Sequence, residues 1–187
     1  GEKYWDDTGR YTLLVNGKPK TIYYYNYYSS LHSLTIGRDV KIGSNAFLNA
    51  SELYEVDLGD NAVIGSYAFY NCGTHIDGVD KDGQFISNEF KIDLSKALSI
   101  GSYAFSGPIH YMWYIEQVAD PNSVLGFTEM MYYLYDDSGN PIYAFYTPKI
   151  ESVDLSNAYT IGSGAFEFSI NLNSVHLGPN VHTIGNN

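Results

Sequence analysis

Two consecutive stretches decide the fold: LHSLTIGRDVKIGSNAFLNA at residues 31–50 and LYEVDLGDNAVIGSYAFYNC at residues 53–72. They align without a gap. Leu31, Leu34 and Ile36 fall on Leu53, Val56 and Leu58, Ile42-Gly43 falls on Ile64-Gly65, and Ala46-Phe47 falls on Ala68-Phe69. Self-similarity at a fixed period of this length is the mark of a repeat architecture.

Working outward, Ile-Gly recurs at Ile100-Gly101, Ile161-Gly162 and Ile184-Gly185, and Ala-Phe follows the first two of these at Ala104-Phe105 and Ala165-Phe166. An aliphatic residue lies six positions before the first four isoleucines (Ile36, Leu58, Leu94, Leu155), while Leu177 lies seven before the fifth. Ile150 and Val153, then Leu172 and Val175, stand further upstream in the later copies. Successive Ile-Gly pairs are 22, 36, 61 and 23 residues apart, and insertions at 73–90 and 107–149 account for the long intervals. Each unit reads as a short strand with its aliphatic residues inward and the residues between them outward. Ile-Gly turns the chain, the glycine supplying a positive φ or a close approach between units. The phenylalanine fills the interior, and the small alanine lets neighbours stack. One such unit cannot bury its apolar face alone, whereas stacked units can.

The unit, Leu-x-x-(Leu/Val)-x-(Ile/Leu) followed by Ile-Gly-x-x-Ala-Phe, resembles the BspA-like leucine-rich repeats, also described as the Treponema pallidum type. Residues 31–72 and 150–185 carry the resemblance, and 90–105 carry it in part. It implies a leucine-rich-repeat solenoid, right-handed, with short parallel strands on its concave face, mostly β and loop; the two long insertions, read as β-hairpin inserts, and the start before residue 30 depart from the family pattern. It implies about five units in a domain spanning 31–187. It also implies a bacterial surface or secreted protein, an adhesion role, and no catalytic residues to carry over. Cys72 falls where such repeats bury a cysteine.

The remaining segments read as β structure. In residues 1–30, Tyr11–Val15 and Thr21–Tyr25 flank Asn16-Gly17, a strong hairpin signal. This hairpin is expected to cap the first unit. In 73–90, Asp77, Asp80 and Asp82 precede Gly83, but the ligand series of a calcium loop is incomplete and a hairpin turn at 80–83 is the better reading. In 107–149, the run from His110 to Gln117 suits a short helix or strand. Met130–Tyr135 and Ile142–Tyr146 flank the turn-forming 136–140, predicting a hairpin that projects from the repeats or packs along their flank.

Two sets of binding residues follow. The position before the last aliphatic of each strand reads Thr35, Asp57, Asp93, Asp154 and His176, which would stack as an acidic ladder on the concave face unless the insertions part them. Close carboxylates there would raise one another's pKa and invite a cation or basic partner. On the large insertion, Trp113, Tyr132, Tyr133 and Tyr143 suit an interface, since aromatic rings bury large area and tyrosine and tryptophan keep a polar handle. The same rings equally suit a small satellite core, and the exposed tyrosines suit a homodimer.

Composition narrows the partners. The net charge is -11, with 10 Lys and Arg against 21 Asp and Glu, which argues against nucleic acid and anionic membranes. The acidic balance permits a protein or glycan ligand. No apolar run is long enough to insert in a membrane. One cysteine excludes an internal disulfide, and the five histidines show no zinc-motif spacing. No nucleophile elbow, P-loop or dinucleotide fingerprint appears, so neither an enzyme nor a cofactor is expected. Gly1 reads as a processing or tag-removal scar, and the last unit stops at Asn187 without an evident cap. The expectation is a secreted or cell-surface recognition module for a protein or glycan. A structural spacer in a larger surface protein is the alternative.

Overall fold

The computed structural model describes residues 8–15, 18–25, 29–79, 85–111, 113–135, 138–141, 143–145 and 147–186. The chain opens with strands β1 (Thr8–Val15) and β2 (Lys18–Tyr25). Unit one holds β3 (Ser33–Ile36) and β4 (Lys41–Ile42), and unit two holds β5 (Glu55–Leu58) and β6 (Ala62–Ile64). The short strands β7 (Gly78–Val79) and β8 (Phe85–Ile86) lead to unit three, which has β9 (Lys91–Ile92), a 3-10 turn at Leu94–Lys96, and β10 (Ala97–Ile100). The large insertion holds β11 (Ile109–Tyr111), β12 (Trp113–Ala119), β13 (Phe127–Tyr133) and β14 (Tyr143–Phe145). Unit four has β15 (Ser152–Leu155) and β16 (Thr160–Ile161), and unit five has β17 (Ser174–Leu177) and β18 (Thr183–Ile184).

Each unit gives its second strand to one parallel sheet, ordered β18-β16-β10-β6-β4. This sheet spans every unit, with Ile42, Ile64, Ile100, Ile161 and Ile184 in register. Glycine permits it by the absence of a Cβ. A Cβ on Gly101 would lie 2.4 Å from the Gly65 carbonyl carbon, and one on Gly162 would lie 2.3 Å from the Ser102 nitrogen. Close approach, not positive φ, is therefore what Gly65, Gly101, Gly162 and Gly185 supply. Positive φ falls three residues after the first four of these isoleucines, at Asn45, Tyr67, Tyr103 and Gly164.

Inside the stack the Ala-Phe rings form a ladder. Phe47, Phe69, Phe105 and Phe166 have successive centroid spacings of 5.3, 5.4 and 5.4 Å and lie within 13° of parallel. Phe90 meets Phe69 and Phe105 edgewise. Leu53, Leu58, Ile64, Leu94, Ile100 and Leu155 fill the rest of the core, and Ala62, Ala68, Ala97, Ala104 and Ala158 are fully buried where backbones crowd. Cys72 is buried too. Its Sγ donates to the Phe47 carbonyl at 3.0 Å, and desolvation pushes its thiol pKa up to about 12, which suits core packing and not nucleophilic chemistry.

The insertions pair in ways local sequence did not indicate. β13 pairs with β12 around the turn Asp120–Gly126, and β14 pairs with β11. Among the described residues the predicted pairing of 130–135 with 142–146 does not form, and a single bridge, Tyr135 to Pro141, joins the segments at their near ends. His110–Gln117 is strand on both sides of residue 112. β1 and β2 pair antiparallel along their full length, the expected turn at Asn16-Gly17 lying outside the described residues, and β2 continues onto β12 at Tyr23–Trp113 and Ile22–Tyr114. The resulting sheet, β1-β2-β12-β13, ties the N-terminal hairpin to the large insertion. β7 and β8 pair antiparallel, while the hairpin turn expected at 80–83, with Asp80 and Asp82, lies outside the described residues.

Candidate functional site

The first strands of the units form two separate parallel groups, β3-β5-β9 and β15-β17. β3 and β5 pair over their full length, as do β15 and β17, but β9 follows β5 only at Lys91 and Ile92. The reason lies at the corner after the strand. Unit two takes four residues from Leu58 to Ala62, and unit three takes three, from Leu94 to Ala97. The shorter corner tightens into the 3-10 turn, and β10 absorbs the mismatch as a bulge between Ala97 and Ser99. The sequence does not mark this break through corner length, because Leu58 to Ile64 and Leu94 to Ile100 are both six residues apart and the shortening appears only as the bulge in β10.

A cavity of about 540 Å³ opens where the strands part. Its apolar floor includes Val56, Phe90, Ile92 and Ile150, and Glu55, Asp57, Glu89, Asp93 and Glu151 line it against the single cation Lys91.

The five ladder residues are all exposed, but they do not form one ladder. Thr35 sits beside Asp57, and Asp154 sits beside His176. Asp93 lies past the end of β9 and caps the 3-10 turn, its Oδ1 accepting from Ser95 N at 3.1 Å and Ser95 Oγ at 2.6 Å. Lys96 Nζ lies 3.5 Å from Asp57 Oδ1 and 4.0 Å from Asp93 Oδ2, so these two carboxylates share an ammonium. Asp154 accepts from the hydroxyl and amide of Ser156. Those hydrogen bonds, with a smaller contribution from His176, hold its carboxyl below the usual value. This is opposite in direction to the upward shift expected for stacked carboxylates, because the nearest groups are donors.

The four insertion aromatics lie on three strands. Trp113 on β12 is opposite Tyr133 on β13, Tyr132 is opposite Tyr114, and Tyr143 on β14 is opposite Tyr111. Tyr132 and Tyr133 are exposed, as are Met130 and Met131 beside them. β13 is the last strand of its sheet, and alternation sends these four side chains to both faces.

Among the described residues no group of three or more His, Cys, Asp or Glu side chains is placed to hold a metal ion, and no helix is long and apolar enough to cross a membrane.

Parallel strands recurring once per unit, a glycine seam and an internal ring ladder define a stacked β-repeat protein. The chain belongs to the BspA-type leucine-rich repeat family: the family profile matches residues 13–77 and 141–187, more than half its length, in 6 copies. The matched segments begin inside β1 and omit 78–140, so unit three lies outside them although Phe105 stands in the ring ladder. Comparison with curated proteins and with solved structures returned no match.

Proposed function

We propose that the stacked units form a right-handed solenoid whose first strands line a concave face, and that this face recognises a basic segment of a partner protein. The protein is read as a secreted or cell-surface adhesion module of bacterial type and not as an enzyme. One observation carries the reading, the acid-lined cavity at the parting of β9 and β15. Repeat families of this kind work through protein interaction, and a cavity lined by five carboxylates and one lysine over an apolar floor suits a lysine or arginine side chain with its aliphatic stem. The exposed Met130–Tyr133 strand supports the large insertion as a second contact surface.

The test is binding of the full chain to an array of extracellular-matrix proteins and glycans, at up to about 100 µM. Saturable protein binding that weakens with salt, and about tenfold in a Glu55→Gln, Glu89→Gln, Glu151→Gln variant, is the expected result. Lys96→Gln frees Asp57 and Asp93 and should tighten the same interaction. A chain with 109–147 replaced by a Gly/Ser loop, its fold checked by circular dichroism, separates the insertion from the cavity. Absence of binding by any of these proteins would favour a spacer in a larger surface protein.

A further inference from the structure

A second groove lies at the corner between the two strand sets and adjoins the acidic cavity through Lys96, whose Nζ meets Asp57 and Asp93 of that cavity. It encloses about 360 Å³ and runs across the stack from Arg38 in unit one to Asn180 in unit five. Four unit spacings of about 4.8 Å separate those ends, the length of a short oligosaccharide. Its origin is the corner mismatch already described, because Leu98, the bulged residue of β10, is part of its wall. Bulges recur where a sheet re-aims side chains next to a site.

The chemistry of the wall is that of a sugar site. Asp60, Asn61, Asn157 and Asn180 present carboxylate and amide groups, and Tyr159, 47% exposed, presents a ring. Planar amides and carboxylates can each engage neighbouring hydroxyls, and an aromatic face takes the C–H face of a pyranose. The amides are held in place. Asn61 Nδ2 donates to Asp39 Oδ1 at 2.7 Å, and Asn157 Nδ2 donates to the Ser95 carbonyl at 2.7 Å. Each keeps its carbonyl oxygen and second N–H as further hydrogen-bonding capacity. Tyr159 is fixed by its backbone, which donates to Leu98 O at 2.8 Å and accepts from His182 N at 2.9 Å.

Charge selects among sugars. In a chain of net charge -11, the groove wall carries two cations, Arg38 and Lys96, and one carboxylate, Asp60, with Asp39 beside Arg38 and Asp57 and Asp93 beside Lys96. Lys96 is engaged with Asp57 and Asp93, whereas Arg38 makes an exposed contact with Asp39, Nε to Oδ2 at 3.5 Å. A guanidinium favours a carboxylate because its paired donors match two oxygens.

We infer that this groove binds a carboxylate-bearing oligosaccharide, with Arg38 pairing the carboxylate, Asn61, Asn157 and Asn180 taking hydroxyls, and Tyr159 packing on a ring face. Titration calorimetry of the full chain with tetragalacturonate, 3′-sialyllactose and neutral cellotetraose tests it. Binding of at least one acidic sugar with Kd at or below about 1 mM is expected, with cellotetraose at least about tenfold weaker. The acidic probe that binds tells a uronic chain from a sialylated end. Arg38→Gln should reduce acidic-sugar binding to the cellotetraose level, and Asn157→Ala and Tyr159→Ala should each weaken it at least about fivefold while the circular dichroism spectrum is unchanged. The Glu55→Gln, Glu89→Gln, Glu151→Gln variant should bind these sugars like the parent chain, which separates this groove from the protein-binding cavity. No acidic-sugar binding, equal affinity for cellotetraose, or indifference to Arg38→Gln and Tyr159→Ala would each overturn the inference.

Discussion

The two strand sets respond differently to the same interruptions. The second strands run through all five units although 61 residues separate Ile100 from Ile161, while the first strands part between units three and four. Sequence distance therefore does not decide where the stack opens. The second strands are held by glycines that let backbones approach and by rings stacked directly behind them. The first strands are also followed by close-approach glycines, Gly59 against Gly37 and Gly178 against Ser156, but Ser95 and Ser156 hold that position in units three and four, where the strands separate. A repeat protein can thus accept an insertion on one side and convert the resulting mismatch into a cavity.

The strongest way to break this comparison is to remove a ring from the continuous side. Phe105 is fully buried between Phe69 and Phe166, and truncation there leaves a void flanked by rings held in place by their own units. Phe105→Ala should cost about 3–5 kcal/mol in urea unfolding. Phe166→Ala, at a partly buried rung, should cost less. Equal costs would mean that the ladder is not what keeps units three and four together.

The glycine seam gives a sharper and smaller contrast. In Gly101→Ala the new Cβ would meet the backbone of Gly65 and Ser66 at 2.4 Å, and backbone cannot rotate away. The same change at Gly43 meets nothing within 4 Å. Gly101→Ala should therefore destabilise by about 1–3 kcal/mol, and Gly43→Ala should be within about 0.5 kcal/mol of the parent chain. If both were neutral, the seam would tolerate a wider spacing and the rings alone would hold it.

Much of this was legible in the sequence. The positions of the inward aliphatics, the Ala-Phe rings and the interrupted period lie in local spacing, and the units fold on that spacing. What was not legible depends on distant partners. The turn joining β12 to β13 carries Val124 and Leu125 at its exposed tip, so its apolar residues masked the turn signal of Asp120, Pro121, Asn122 and Gly126. The pairing of β2 with β12 has no local signature. The two halves of the expected acidic ladder illustrate the limit best. Ile92-Asp93-Leu94-Ser95 and Val153-Asp154-Leu155-Ser156 are nearly the same sequence, yet Asp154 remains in a strand because β17 pairs with it, while Asp93 turns away.

That pair supplies the smallest and most specific test. Both aspartates accept hydrogen bonds from the serine two residues on, but only Asp154 also stands beside a histidine in a paired strand. Its folded pKa is depressed below the ordinary 3.8, so the stabilisation it contributes is present above that value and is lost as pH falls through the lower, folded value. Ser156→Ala removes the largest cause of the depression. The parent chain should therefore be slightly more stable than Ser156→Ala near neutral pH, with the difference closing as the pH drops below 3.8. Because the carboxylate is fully exposed, the gap should be small, and urea midpoints compared at matched ionic strength are the appropriate readout. A gap that persisted unchanged into acid would assign the Ser156 effect to the turn backbone and not to the Asp154 carboxylate.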